Sequence, residues 1–231
     1  MKTIYHKPVM LEEAVKGLKI DPDGVYVDVT FGGGGHSRAI LQKLSNSGRL
    51  LAFDHDLEAL QNEITDDRFQ LIRGNFSHLN KYLKFHGISI VDGILADFGV
   101  SSHQFDSGSR GFSTRLEGPL DMRMNTQNPL SAYEVVNEYS SEDLQRIFRS
   151  YGELRIAKKL ANIIISERSQ SPIETTQTLV NLLAPTLPKH VFNKIIAKVF
   201  QAIRIDVNSE LDVIKLFLEQ SVKVLNRGGR L

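Results

Sequence analysis

Two aspartates and four consecutive glycines form a pattern that is typical of a ligand-binding site. Asp28 ends a β-rich run, and the glycines at positions 32–35 follow it just before a helical pattern begins. Glycines at such a junction let a ligand approach the backbone, and the first N–H groups of the helix are available to it. Asp54 ends the next β-rich run about 20 residues later, where a carboxylate accepts hydrogen bonds from ribose hydroxyls. Phe76 follows the third run and either lines an adenine pocket or belongs to the core. Together the glycines, the two aspartates and this ring predict a nucleoside-binding site.

The spacing of the glycines favours one class of nucleoside over others. Gly32 and Gly34 lead to Ser37, where a dinucleotide fingerprint requires glycine or alanine, and the alternative register fails in the same way. An acidic Asp28 at the mouth of the loop would repel a pyrophosphate but suits the ammonium group of a methionine. The loop therefore favours S-adenosylmethionine. A nicotinamide-dependent oxidoreductase and a tight turn without ligand are the alternatives.

Asp97, at the end of the fourth β-rich run, is the candidate catalytic residue. In a doubly wound sheet the fourth strand lies beside the first, so Asp97 would face the donor methyl group. Where the acceptor is an amine whose lone pair is delocalised into a ring, a carboxylate that accepts one N–H would localise that lone pair. Alignment then supplies much of the rate, since effective molarities reach about 10⁵–10⁸ M in well-oriented systems. A capping or cofactor-binding role for Asp97, and proton transfer by His36 or His103, stay open.

Four β-rich runs alternate with helical patterns through the first part of the chain. The runs occupy residues 25–29, 49–54, 69–73 and 91–97. Repeated strand, helix and strand units with right-handed crossovers give a parallel sheet with helices on both faces. The sequence therefore predicts an α/β fold with a doubly wound sheet, in which ligands bind at the carboxyl ends of the strands.

A second, helical part follows Asp97. A loop rich in glycine, serine and arginine spans 99–125 and is followed by amphipathic segments without an intervening strand. We predict helices over 131–137, 141–150 with Ser141 as N-cap, 153–168, 176–183, 190–203 and 209–225. A turn at 226–229 and a new strand from Arg230 are expected to follow. Because the chain ends inside this pattern, we expect the sheet to continue in further strands.

Charge is distributed unevenly along the chain, although the net charge is only +1. Residues 146–204 carry 10 Lys and Arg against 3 Asp and Glu, whereas residues 1–145 carry 14 against 20. The predicted helix 153–168 has an apolar stripe that leaves its cations on the flanks and the opposite face. This basic block is either a solvated helical surface or a face that contacts phosphates. Its candidate contact residues on that helix are Arg155, Lys158 and Lys159.

Several classes of protein are disfavoured by composition. The chain has no cysteine, so disulfides and thiolate-ligated zinc are excluded. Its histidines and carboxylates show no metal-ligand spacing, and we expect no metal site. Residues 1–11 contain no apolar run of signal-peptide length, and no stretch approaches the length of a membrane span. We expect a soluble, cytoplasmic protein without a membrane partner.

Seven short motifs are spread over the whole chain. They are HKPVMLEE at 6–13, the segment 28–37, DFGVSS at 97–102, RGFS at 110–113, GPLDMRM at 118–124, YGE at 151–153 and FQAIR at 200–204. Together they resemble the RsmH (MraW) family, and GPLDMRM with FQAIR is far more specific than a glycine loop. The resemblance implies an enzyme of bacterial cytoplasm that methylates N4 of a cytidine in the decoding centre of 16S rRNA. Its cofactor would be S-adenosyl-L-methionine.

The resemblance also implies site residues by position. The cofactor contacts would be Gly34, Gly35, His36, Asp54, Phe76, Asp97 and Gln104. Of these, His36 and Gln104 rest on similarity alone. The RNA contacts are assigned from the basic block and not from the resemblance, and they are Arg155, Lys158, Lys159, Lys198 and Arg204. The chain departs from the family pattern at Gly33, where arginine is frequent, at Leu154, where a second glutamate is usual, and at 198–199, where Arg-Thr is usual.

The implied architecture is a class I S-adenosylmethionine-dependent methyltransferase, Rossmann-like, with an inserted all-α substrate-recognition domain. The methyltransferase domain is expected over 1–105 and 205–231, and the helical RNA-recognition insert over 106–204. Family members continue beyond GGRL at 228–231 into further strands, so the resemblance implies a C-terminally truncated chain. A non-catalytic RNA-binding remnant is the alternative from another class. A homodimer and the assembly state of the ribosomal substrate stay open.

Overall fold

Five parallel strands form one sheet in the computed structural model, which describes residues 8–231. The strands are β1 Val25–Asp28, β2 Arg49–Asp54, β3 Phe69–Arg73, β4 Val91–Leu95 and β5 Leu225–Arg230. Their order is β3-β2-β1-β4-β5, so the direction of sheet growth reverses between β1 and β4. Such a reversal opens a crevice at the carboxyl ends of the strands. The predicted doubly wound α/β sheet is confirmed.

Helices and single 3₁₀ turns make up the rest of the regular structure. The helices are α1 Leu11–Gly17, α2 Gly35–Leu41, α3 Leu57–Leu60, α4 Leu79–Phe85, α5 Ser102–Asp106, α6 Ala132–Glu138, α7 Ser141–Ser150, α8 Ala157–Arg168, α9 Thr176–Leu183, α10 Phe192–Val207 and α11 Glu210–Val224. The 3₁₀ turns are Phe76–His78, Gly108–Arg110 and Ala184–Thr186. Within residues 8–231, no helix combines the length and the apolar character that crossing a bilayer requires.

The chain divides into two compact units, and the sheet belongs to the first of them. This unit contains the described residues up to Ser101 together with Leu211–Leu231. Side chains of β1 alternate between two cores, because Tyr26 packs with α1 and α2 while Val27 packs with α4 and α11. Burial on both faces explains why the strands read as continuous apolar runs.

The second unit, Ser102–Glu210, is helical. Helix α7 packs against α8 and α10, and α6 also contacts α8 and α10. The apolar stripe that the sequence predicts on the helix over 153–168 is confirmed, since its four members are fully buried. They are Ala157, Leu160, Ala161 and Ile164. The basic residues between them therefore lie on the outer faces of α8.

Three predicted element boundaries are wrong for identifiable reasons. The N-cap of α7 is Ser140 and not Ser141, because the Ser140 side chain accepts the N–H of Asp143 at 3.0 Å. Helix α8 begins at Ala157 instead of at 153, because Glu153 adopts φ +51° and ends the preceding turn. The strand expected from Arg230 begins at Leu225, so the predicted turn lies within β5.

Candidate active site

The carboxyl ends of the strands bring most of the predicted site residues to one edge of the sheet. Asp28 of β1 is in register with Ala52 of β2 and with Leu95 of β4. The loops continue this ladder, since Phe31 N–H donates to the Phe53 carbonyl at 3.0 Å. The glycine loop and the segments that follow β2, β3 and β4 therefore begin at one edge of the first unit.

The glycine loop is held in shape by its own unit. Gly34 has φ +74°, and a Cβ atom built there would lie 2.9 Å from the Phe31 ring, so only glycine fits. Arg38 donates to the Gly33 carbonyl at 2.7 Å, and the Asn62 amide donates to the Gly32 carbonyl at 3.2 Å. These contacts hold the loop in this conformation.

Gly35 and His36 open helix α2 immediately after the loop. His36 is 6% exposed, so its ring belongs to the interior of the first unit. The structure thus places the two residues at the helix start, where the resemblance puts cofactor contacts.

Asp54 spans the gap between the glycine loop and the loop after β2. Its Oδ2 accepts the Gly32 N–H at 2.9 Å, and its Oδ1 accepts the Asp56 N–H at 2.9 Å. Burial raises the pKa of Asp54, and the two backbone hydrogen bonds oppose that shift. Each oxygen has accepted one hydrogen bond and retains a further lone pair, which suits it to a pair of ribose hydroxyls. Asp56 caps α3 by accepting the Glu58 N–H at 3.0 Å.

Asp28 supports the loop and does not offer its charge to a ligand. It is fully buried, its Oδ2 accepts the Ser37 hydroxyl at 2.7 Å, and its Oδ1 accepts the Thr30 N–H at 3.1 Å. Burial raises its pKa, while the bonds from Ser37 and Thr30 lower it. The expectation that Asp28 meets a methionine ammonium group is therefore wrong. Ser37 and Thr30 were not predicted as site residues. For Thr30 a local signal exists, since an aspartate often accepts the backbone N–H of the residue two positions on.

Phe76 lies between the apolar core and the edge of the sheet. Its ring centroid is 5.4 Å from that of Phe217 on α11 and 5.7 Å from that of Phe98. The ring is only partly buried, and Phe98 is 41% exposed. One side of Phe76 thus packs with the core, and the ring is also positioned to form a pocket wall.

Asp97 lies in the segment after β4 and is exposed. Its backbone N–H donates to the Thr30 hydroxyl at 2.7 Å, which links it to the loop after β1. Helix α5 begins only at Ser102, so Asp97 does not cap it. His103 and Gln104 lie on α5 in the second unit, where Gln104 is 6% exposed.

The predicted RNA contacts all lie in the second unit, but they differ in their surroundings. Arg155 and Lys158 are exposed, and the Lys159 ammonium group donates to the Thr186 carbonyl at 2.9 Å. The Lys198 ammonium group lies 2.9 Å from a Glu153 carboxylate oxygen. Arg204 makes two bonds to the Glu210 carboxylate, at 2.7 and 3.1 Å. This ion pair gives Arg204 an intramolecular partner in place of a phosphate.

The chain matches a known family along nearly its whole length. Residues 3–231 fit the family model described as the MraW methylase family. The chain belongs to this family. Membership of this family and the parallel sheet agree with the predicted class I methyltransferase architecture.

Relatives of this MraW methylase carry a more specific name. The chain is 56% identical over 227 residues to the ribosomal RNA small subunit methyltransferase H of Christiangramia forsetii, covering 98% of the chain and 75% of that protein. It is 57% identical over 226 residues to the protein of that name in Flavobacterium johnsoniae, with the same coverage. The protein of that name in Bacteroides fragilis is 49% identical over 230 residues, covering 100% of the chain and 76% of the relative.

As a MraW methylase of this fold, the chain uses S-adenosyl-L-methionine, and its residues fit that cofactor. A Cβ atom built at Gly32 would meet nothing within 4 Å, so the loop presents open backbone there. Asp54 offers two acceptor oxygens beside it, and Phe76 offers an apolar ring. No group of three or more histidines and carboxylates converges on a metal position among residues 8–231.

Proposed function

We propose that this MraW methylase transfers a methyl group to N4 of a cytidine in the decoding centre of 16S ribosomal RNA. The names of the relatives support the small-subunit RNA as substrate. The observation that carries the proposal is the exposed Asp97, whose backbone is bonded to the loop after β1 beside the glycine loop. A ribosomal substrate also implies a bacterial cytoplasmic enzyme.

The donor would be held by residues of the first unit. Asp54 accepts hydrogen bonds from the ribose, and Phe76 covers one face of the adenine. The backbone of Gly34, Gly35 and His36 lines the methionine end. S-adenosyl-L-methionine, when bound, supplies an electrophilic methyl group on a sulfonium. The fixed conformation of the glycine loop means that little ordering is needed on binding.

Asp97 would act on the acceptor amine. Its carboxylate accepts a hydrogen bond from one N–H of cytosine N4, which localises the nitrogen lone pair and directs it at the methyl group. The new carbon–nitrogen bond would form as the methyl carbon–sulfur bond breaks, with S-adenosylhomocysteine as the leaving group. The nitrogen becomes more acidic in this step, and Asp97 would take its proton and pass it to water. The alignment of the amine with the methyl group and the charge of the Asp97 carboxylate then supply the rate enhancement, and no strong base is required.

The second unit would bind the RNA. We propose that the recognition domain lies within residues 106–204 and that 1–105 with 205–231 form the methyltransferase domain. Arg155, Lys158 and Lys159 on α8 supply cations for the phosphate backbone. Lys198 would join them where its ion pair with the exposed Glu153 opens.

Methylation of small-subunit RNA tests this function. Ribosomal subunits from a bacterial strain that lacks the corresponding methyl group would be incubated with the protein and labelled S-adenosylmethionine, followed by nucleoside mass spectrometry. We expect one N4-methylcytidine per subunit, mapped to the decoding centre. Asp97→Asn should lower kcat by about 10²–10⁴-fold, the range of general acid–base catalysis. Label in another base or none at all would refute the proposal, and RNA binding without label would indicate a non-catalytic protein.

A further inference from the structure

Thr30 connects the loop that carries the glycines with the segment that carries Asp97. The backbone ladder between β1 and β4 pairs Asp28 with Leu95 and ends where the Val29 N–H donates to the Leu95 carbonyl at 2.9 Å. Beyond that point a side chain takes over, because the Thr30 Oγ1 accepts the Asp97 N–H at 2.7 Å. Thr30 thus extends the pairing of the two strands to the residue proposed to act on the substrate.

The Thr30 hydroxyl lies beside a buried carboxylate, which also accepts the Thr30 N–H. Oγ1 lies 3.5 Å from the Oδ1 of Asp28, which also accepts the Thr30 N–H at 3.1 Å. Since Oγ1 accepts from Asp97, its single proton is directed at Asp28. The other oxygen of Asp28 is bonded to Ser37 at 2.7 Å, so the carboxylate cannot rotate freely. Threonine, which is branched at Cβ, adds a restricted χ1 angle to this arrangement.

This connection leaves the Asp97 carboxylate exposed while holding its backbone. An exposed side chain on an untethered segment would sample many positions relative to the donor. Small displacements of reacting groups are costly, and an error of about 1 Å lowers rates by about a hundredfold. Catalysis therefore requires the Asp97 backbone to be held in place.

We propose that Thr30 is a positioning residue for methyl transfer, which sets the place of Asp97 relative to the donor through its hydroxyl. The proposal rests on the proposed function of Asp97. Thr30 contacts neither donor nor acceptor in this scheme and acts only through Asp97. Its removal is expected to affect the chemical step and not the binding of the donor.

The test compares Thr30→Val, which keeps the shape and removes the hydroxyl, with Thr30→Ser, which keeps the hydroxyl. Thr30→Val should lower kcat at least about tenfold, while KM for S-adenosylmethionine and Kd for S-adenosylhomocysteine change less than about threefold. Thr30→Ser should retain kcat within about threefold. Thr65→Val, at an exposed position of the first unit between α3 and β3, is the matched control and should behave like the unsubstituted protein.

Hydrogen exchange of the Asp97 amide gives a second readout that does not depend on activity. Exchange should be faster in Thr30→Val than in the unsubstituted protein and Thr30→Ser. Normal kcat in Thr30→Val, or a loss of S-adenosylhomocysteine affinity that matches the loss of kcat, would overturn the proposal. If the unsubstituted protein methylates no RNA, the proposed function fails, and exchange at Asp97 alone decides the role of Thr30. If Thr30→Val does not fold, a low kcat in a folded Thr30→Ser variant would overturn the proposal that Thr30 positions Asp97.

Discussion

Asp28 and Asp54 end adjacent strands, yet the structure gives them different roles. Asp28 is fully buried and bonded to hydroxyl and amide groups of the loop. Asp54 is partly exposed, and backbone N–H groups from two loops hold its oxygens. A buried carboxylate positions its neighbours, whereas a partly exposed one still has lone pairs to offer.

Replacing Asp54 with asparagine tests its role as the ribose ligand. One oxygen becomes an NH₂ group that meets either the Gly32 or the Asp56 N–H as donor against donor, and the acceptor for a ribose hydroxyl is removed. We expect the affinity for S-adenosylhomocysteine to fall at least tenfold, or about 1.4 kcal/mol, by calorimetry. Asp56→Asn is the matched control, because asparagine caps a helix as well as aspartate. Equal affinities for both variants would contradict a ribose contact.

The pH dependence of stability tests the burial of Asp28. Its pKa in the folded state is raised above the ordinary value of 3.8, mainly by burial, so the folded state binds this proton more tightly than the unfolded state. The contribution of Asp28 to the free energy of unfolding therefore falls as pH rises from 3.8 through its folded pKa. Asp28→Asn should remove this fall. The free energies of unfolding of the two proteins, measured in urea from low to neutral pH, give the difference at each pH. A difference that is constant with pH would contradict a raised pKa.

Residue types and spacing predicted which residues lie at one edge of the sheet, but not the burial or the hydrogen bonds of each residue. The prediction of Asp54 at a strand end depends on local sequence alone. The error at Asp28 arose because complete burial depends on α2 and Ser37, which no local pattern reveals. Arg204 was chosen for its charge, and its partner Glu210 became visible only in the fold.

At the scale of elements, the sheet was more predictable than the helix ends. Strands β1 to β4 lie within the predicted runs, because burial on both faces leaves a continuous apolar signal. Strand β5 was mistaken for a turn, since Asn226 and Gly228 are typical turn residues. Pairing with β4 overrides that local preference, and the Asn226 side chain also donates a hydrogen bond to the Asp92 carboxylate at 3.0 Å.

Helix α7 offers a direct test of the corrected cap. Ser140→Ala removes the acceptor for the Asp143 N–H and should lower the free energy of unfolding by about 1 kcal/mol. Ser141→Ala, one residue further on, is the matched control and should change it by less than about 0.5 kcal/mol. Urea unfolding of the two variants under the same conditions measures the difference. A larger loss at Ser141 would restore the cap predicted from the sequence.

At the scale of the whole molecule, the uneven charge of the sequence falls into the two units. The surplus of Lys and Arg in residues 146–204 belongs entirely to the helical second unit. Part of this surplus is neutralised by ion pairs, as with Lys198 and Arg204. The exposed cations at the start of α8 are therefore the part of the block best suited to a polyanion.

The salt dependence of RNA binding separates a phosphate-contacting face from a merely solvated one. A triple variant with glutamine at Arg155, Lys158 and Lys159 should bind small-subunit RNA more weakly. Its slope of log affinity against log salt should decrease by about 0.7–0.9 for each phosphate that these cations neutralise in the unsubstituted protein. Affinity for S-adenosylhomocysteine should be unchanged, because these cations lie in the second unit and the proposed ribose and adenine contacts in the first. The matched control replaces three exposed lysines of the first unit with glutamine, namely Lys43, Lys81 and Lys84.

The control separates local contacts from net charge, because each triple variant carries three fewer positive charges. If the α8 cations bind phosphates, only their removal lowers the slope, since counterions are released where charges meet the backbone of the RNA. If RNA is attracted only by the overall field, both variants weaken binding to a similar degree. An equal change in slope for the two variants would therefore assign the basic block to a solvated surface and leave the RNA-binding face of this methylase elsewhere.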